Sequence, residues 1–291
     1  MMKMSKKSMA GLVLQKLRQW AVAKPSGISY MTAKVIDRYI SSHMNAKPFM
    51  LVDATNLRLK NVVHAIKKNG YHAIPNYFTD EQCLHLRESI DFAIKNRPEY
   101  IHPATNYDMR IHGIEAIDSD FLPYCNDKFL ENVASSCLGA TSRAAFTLGA
   151  RLDATPNNPG SGGGWHRDSP HRQIKAMVYL SDTDEENGPF QLIADSEKIN
   201  SVLRDDRIAG KEYGSVRWTE PEVEKVLKMT DVGRLRTLTA KAGTVLIFDS
   251  STIHRGRPII KGTRYAITNY YYKNKEISEE LYEHFTPVCR K

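Results

Sequence analysis

The chain has 291 residues, 41% hydrophobic and 25% charged, enough to bury a sizeable core and too apolar for a wholly disordered chain. The formal net charge of +8 is confined to the first 50 residues, which carry nine Lys or Arg against one acid, Asp37; the rest holds 32 basic and 32 acidic side chains. A neutral body argues against a nucleic-acid binder, which needs a basic face, and polar residues interrupt every apolar run short of the roughly 18 residues a membrane helix requires.

Near the start, Ala10, Val13, Leu14, Leu17, Trp20 and Ala21 recur at three- and four-residue spacing, with Gln15, Lys16, Arg18 and Gln19 opposite. This predicts a basic amphipathic helix within residues 8–23, broken by Lys24-Pro25-Ser26-Gly27. Three readings stay open for it: a helix docked on the domain, an interfacial helix making peripheral membrane contact, or a cleaved targeting segment. Residues 1–45 are therefore read as an extension and 46–291 as one domain. Four cysteines, Cys83, Cys125, Cys137 and Cys289, are too few and too scattered for a disulfide framework or a paired-cysteine zinc site. A reduced intracellular compartment, the cytoplasm in the plainest case, fits that usage.

A helix is expected over 57–68, stopped by Asn69-Gly70, then a strand over 71–74. Thr79-Asp80-Glu81-Gln82 has the form of a capping box and starts a helix running to about residue 94. From about residue 146 the character changes. Strand-like runs at 175–180, 190–194, 244–248 and 264–272 alternate with Gly, Pro and Asn turns, which predicts a mainly β sandwich or barrel. The polar stretch 196–241 reads as an inserted helical excursion.

Trp165-His166-Arg167-Asp168 follows the glycine-rich stretch 160–164. In an extended backbone His166 and Asp168 share one face about 7 Å apart, so both can reach one metal ion. A kinase catalytic loop is excluded, because it needs Asn five residues after the Asp and position 173 is Gln173. A phosphate-binding loop is excluded too, since Gly164 is followed by Trp165. A buried, hydrogen-bonded structural pair remains the alternative. The second segment, from Ala242-Gly243-Thr244 through an apolar run to His254, delivers another imidazole at the end of a strand. Two histidines and one carboxylate can occupy one face of an octahedral Fe(II), leaving three positions open. Ten residues on, Arg264 offers a planar fork matched to a carboxylate.

These motifs, with Val178-Tyr179-Leu180 leading to Glu186-Asn187-Gly188-Pro189-Phe190 and the entry segment Gly70-Tyr71 to Glu81, resemble the phytanoyl-CoA dioxygenase family of Fe(II)/2-oxoglutarate-dependent oxygenases over about residues 60–273. The resemblance implies a double-stranded β-helix, a cupin-like jelly-roll barrel with flanking helices. It implies Fe(II) held by His166, Asp168 and His254, 2-oxoglutarate held through Arg264, and O2 as second cosubstrate. Relatives that halogenate lack the metal carboxylate, whereas Asp168 is present, so hydroxylation of a C–H bond in a small molecule is the expected outcome, with desaturation or ring closure by the same oxidant left open. Two departures stand out: Asp195-Ser196-Glu197 replaces the family's frequent Gly-Ser-His, and Ala266 stands where related oxygenases carry a hydroxyl. Thr268 or Arg151 is the expected second cosubstrate contact. The basic cluster of Arg167, His171, Arg172 and Lys175 suggests an anionic substrate. A metal-binding barrel without oxygenase activity and a peripheral membrane adaptor are the competing classes.

Overall fold

The computed structural model describes residues 51–285 except 54, 103–106, 157, 170, 213 and 214. The expected helix within 8–23 and the extension 1–45 lie outside the described residues. Helix α1 (Leu57–Asn69) starts at Asn56, whose side chain accepts from Leu59 N at 3.0 Å, and it stops at Gly70 as expected. Its buried face is Leu59, Val62, Val63 and Ile66, the spacing of one helical stripe. After β1 (Tyr71–Ile74), helix α2 (Asp80–Asn96) opens with the capping box, closed reciprocally between Thr79 and Gln82.

Next come β2 (Asp108–His112), the single turn α3 (Leu122–Cys125), α4 (Lys128–Leu138) and the long strand β3 (Ser142–Asp153). Four predicted runs appear, within two residues at each end, as β4 (Ile174–Tyr179), β5 (Phe190–Ile193), β7 (Val245–Asp249) and β9 (Thr263–Lys273). The stretch 196–241 holds the expected helices, α5 (Ile199–Ala209) and α6 (Glu220–Met229). It also holds β6 (Leu235–Leu238), which rejoins the barrel by pairing with β5, so the excursion is shorter than expected. The short strand β8 (His254–Gly256) and helix α7 (Glu279–Phe285) complete the described elements.

All strand pairings are antiparallel. One sheet has the order β1-β7-β4-β9-β3-β2 and the other β6-β5-β8. Strand alternation divides the larger sheet between two cores. Ile174, Ala176, Val178, Val245, Ile247 and Ile267 pack against the helices, while Met177, Tyr179, Leu246, Phe248 and Ala266 turn inward to meet Phe190 and Leu192 of the smaller sheet. Two facing antiparallel sheets around a shared interior, with helices outside, form the expected jelly-roll barrel. No described helix is long and apolar enough to cross a membrane.

Glu197, in the turn after β5, is a buried carboxyl whose Oε2 has no hydrogen-bond partner. Burial, with help from the nearby Asp249 charge, pushes it from the usual 4.5 up to about 7. Between those two values the unfolded chain has released this proton and the folded chain has kept it. Stability therefore falls as pH rises through that window, by at most about 1.4 kcal/mol per pH unit. Glu197→Gln removes that titration. Its melting temperature relative to wild type should climb from about pH 5 to about pH 8, and a constant difference would refute the assignment.

Candidate metal centre

The site is assembled by backbone pairing. His166 N donates to His254 O at 2.8 Å and His254 N donates to His166 O at 2.7 Å, an isolated antiparallel bridge that sets the two rings 4.3 Å apart. Each imidazole is then oriented by a carbonyl: His166 Nδ1 meets Gly164 O at 2.8 Å and His254 Nδ1 meets Thr252 O at 2.8 Å. A carbonyl can only accept, so both Nδ1 atoms carry the proton and both Nε2 lone pairs are free. Burial, reinforced by the neighbouring His254, pushes His166 down to about 3, and burial lowers His254 as well. Both rings are neutral, as metal ligation requires.

The glycine-rich stretch is explained by the same rings. Gly162 has φ 83°, and a Cβ there would stand 2.3 Å from His166 Cε1, so the loop can lie against the imidazole only as glycine. Asp168 is held by its N–H to Ser250 O at 3.1 Å, with Oδ1 3.8 Å from His166 Nε2 and Oδ2 2.6 Å from the Lys175 ammonium. Burial alone would raise this carboxyl, but Lys175 and the two histidines together hold it below the usual carboxylate range. One ligand atom from each of His166, Asp168 and His254 lies within 4.8 Å of the others. Two neutral nitrogens and one carboxylate oxygen, convergent within that distance, are a donor set suited to Fe(II).

Arg264 lies on the inward face of β9, opposite Leu152, and is buried with Nε and Nη1 unpaired. Its guanidinium rests against Gly256, where an added Cβ would stand 3.1 Å from Nη2. Gly256 is two residues along β8 from His254 and shares its face, about 7 Å away. An unpaired buried cation at that remove from the imidazoles fits a short anion with a second group near the histidines. Thr268 shares the inward face of β9 with Arg264, between Leu148 and Met177 in register, and is buried.

Three expected contacts are corrected by strand parity. Arg151 neighbours Leu152, so it turns to the helix side, where it meets Asp91 of α2 at 2.9 Å and Asp153 at 3.2 Å; it does not face the cosubstrate position. Arg167 sits between two inward residues and turns outward. Its side chain is fully buried 3.9 Å from Asp206 and 4.9 Å from the Trp218 ring, which removes it from any substrate surface. Arg172 reaches Cys137 O at 3.0 Å and Asp249 at 3.4 Å, at the helix layer and away from the interior. His171 is exposed in the loop before β4, its N–H on Ser169 Oγ at 3.1 Å.

Four groups escaped sequence reasoning in their roles. Lys175 falls by sequence in the basic cluster with His171 and Arg172, yet its place inside the buried strand β4 is the signal of a buried partner. Tyr270 faces inward beside it. Arg110 of β2 pairs with Asp108 and reaches Ser161 Oγ at 2.9 Å. Arg217 bridges to His166 through the backbone and donates to Gly162 O. Nothing local in the sequence marks the last two.

The chain is similar in sequence and in fold to several known proteins. The chain is 26% identical over 216 residues to an ectoine dioxygenase of Bordetella parapertussis, covering 66% of this chain and 68% of the relative. An L-proline trans-4-hydroxylase of Streptomyces griseoviridis is 24% identical over 208 residues, covering 64% and 76%. The crystal structure of HygX from Streptomyces hygroscopicus with nickel and 2-oxoglutarate bound shares the fold at a TM-score of 0.55 and 17% identity, over 74% of this chain and 87% of that one. The family model described as phytanoyl-CoA dioxygenase (PhyH) matches residues 66–261, including the His166, Asp168 and His254 cluster, and the chain belongs to that family.

Proposed function

We propose that the protein is an Fe(II)- and 2-oxoglutarate-dependent dioxygenase that hydroxylates a C–H bond of a small, anionic metabolite. The observation that carries this reading is a cluster of two neutral imidazoles and one carboxylate, with a buried arginine lacking hydrogen-bond partners at Nε and Nη1 on the same barrel interior. His166 Nε2, His254 Nε2 and one oxygen of Asp168 would hold the metal. Arg264 would hold the far carboxylate of 2-oxoglutarate, and Thr268 shares its face. Bound together, iron, 2-oxoglutarate and O2 supply an oxidant for unactivated C–H bonds, with one oxygen atom leaving in succinate, carbon dioxide released and the other inserted as hydroxyl.

The chain's own part is orientation and exclusion. Gly164 O and Thr252 O keep both imidazoles in the ligating tautomer. Phe190 and Phe248, 5.4 and 5.8 Å from the His254 ring, wall that side with apolar surface and keep bulk water from it. Arg217, bridged to His166 through the backbone, adds positive charge to the neighbourhood, which suits a carboxylate-bearing substrate. The relative named L-proline trans-4-hydroxylase is consistent with a small substrate that bears a carboxylate.

His166→Ala, Asp168→Ala and His254→Ala should each abolish the visible charge-transfer band formed by anaerobic Fe(II) and 2-oxoglutarate, along with succinate release, while circular dichroism stays unchanged. A variant that kept both signals would remove its residue from the ligand set. Arg264→Ala should weaken 2-oxoglutarate binding by about 30-fold to several-thousand-fold, since breaking a buried charged pair costs roughly 2 to 5 kcal/mol. Lysine there should rescue only in part, because it lacks the planar fork. A titration of the same band against 2-oxoglutarate reads both variants, and an unchanged dissociation constant would sink the role.

A further inference from the structure

Lys175 occupies an inward position of β4, between Ile174 and Ala176, which pack against the helices. Its side chain is only 7% exposed. The ammonium lies 2.6 Å from Asp168 Oδ2 and 3.9 Å from the centroid of the Tyr270 ring. Tyr270 is its register partner across β9, so strand pairing builds this contact. The carboxylate is thereby divided between two tasks: Oδ2 belongs to the lysine, and Oδ1 is the oxygen 3.8 Å from His166 Nε2. Arg110, another buried interior cation, is already engaged by Asp108 and Ser161.

We propose that Lys175 is a positioning residue for the metal centre, holding Asp168 by Oδ2 so that the carboxylate offers the metal ion a single oxygen. This rests on the reading of His166, Asp168 and His254 as ligands. A carboxylate free to turn can bind a cation through one oxygen or both. Binding through both would take a coordination position that the cosubstrates need. A charge-assisted hydrogen bond from a buried ammonium, itself capped by an aromatic face, removes that freedom before the metal arrives. The length of lysine matters here, because the ammonium must reach the carboxylate from the neighbouring sheet position without displacing the ring of Tyr270.

The test is Co(II) titration of the whole protein without 2-oxoglutarate, followed by its ligand-field spectrum, for wild type, Lys175→Met and Lys175→Arg. Lys175→Met should bind Co(II) about 10- to 100-fold more weakly, the usual effect of losing a partner behind a metal ligand. Its spectrum should shift as Asp168 turns to present both oxygens, and Lys175→Arg should recover part of both effects. A folded Lys175→Met with wild-type affinity and spectrum overturns the proposal. Should Lys175→Met fail to fold, Lys175→Gln is read by the same two criteria, and failure of Met, Gln and Arg alike to fold overturns it by making the lysine a structural requirement. Wild type that binds no Co(II), or binds it equally with His166→Ala, defeats the ligand-set reading itself and the proposal with it.

Discussion

The reciprocal pair of backbone hydrogen bonds between His166 and His254 is the constraint on which the rest of the site depends. It joins the end of the glycine-rich loop to the short strand β8, two segments far apart in the chain. Neither residue sits within a long ladder, so the bridge needs support from both sides. Ile253 N donates to Ser196 Oγ at 2.7 Å, and Leu192 of β5 pairs with His254 in register. On the other side Trp165 packs with Ile193, Trp218, Val223 and Ile253. The two imidazoles are thus set by main-chain geometry, and side-chain rotamers have little left to decide.

Charge inside the barrel is arranged around that bridge. Asp108 answers Arg110 and Asp168 answers Lys175, whereas Arg264 Nε and Nη1 have no hydrogen-bond partner among the described residues. A buried guanidinium short of hydrogen-bond partners is costly, and burial accordingly lowers its pKa against the opposing pull of Tyr179 and Asp108. Such a cost is tolerated where a ligand supplies the counter-charge. The two other buried arginines among the described residues, Arg167 and Arg234, both have acids beside them. Arg167 has Asp206, Asp205 and Glu197 as surrounding charges and the Trp218 face beneath it, which makes it part of the architecture.

The candidate metal ligands were legible in the sequence because their signals are local. A His-x-Asp on an extended segment and a histidine ending an apolar strand need no knowledge of pairing. Helices α1 and α2 were legible for the same reason, through Asn69-Gly70 and the Thr79–Gln82 box. What failed was parity. Arg151 and Arg264 lie on adjacent strands, yet only the register that sets Leu152 opposite Arg264 reveals that Arg151 faces the other way. A register shift between Ala144 and Phe146 further disturbs alternation along β3, so counting from its start gives the wrong face. Strand β2, with Asp108, Arg110 and His112 in five residues, is too polar to read as a strand at all, and β6 was hidden inside a helical stretch for a similar reason.

Alternation also explains why the inserted stretch belongs to the site. Because His166 and Asp168 point inward, Arg167 must point outward, and its N–H donates to Val216 O at 3.0 Å. The outward side chain enters a layer built by α5 and α6, where Asp206 lies 3.9 Å away and Asp205 binds Arg234 at 2.7 Å. Arg234 in turn donates to Ala194 O at 3.0 Å, at the end of β5, whose Leu192 pairs with His254. A closed circuit therefore runs from one metal-facing segment through the helical layer and back to the other. Altering the layer at Asp205, Asp206 or Trp218 would disturb both segments that carry the candidate ligands, 166–168 on one side and His254 on the other.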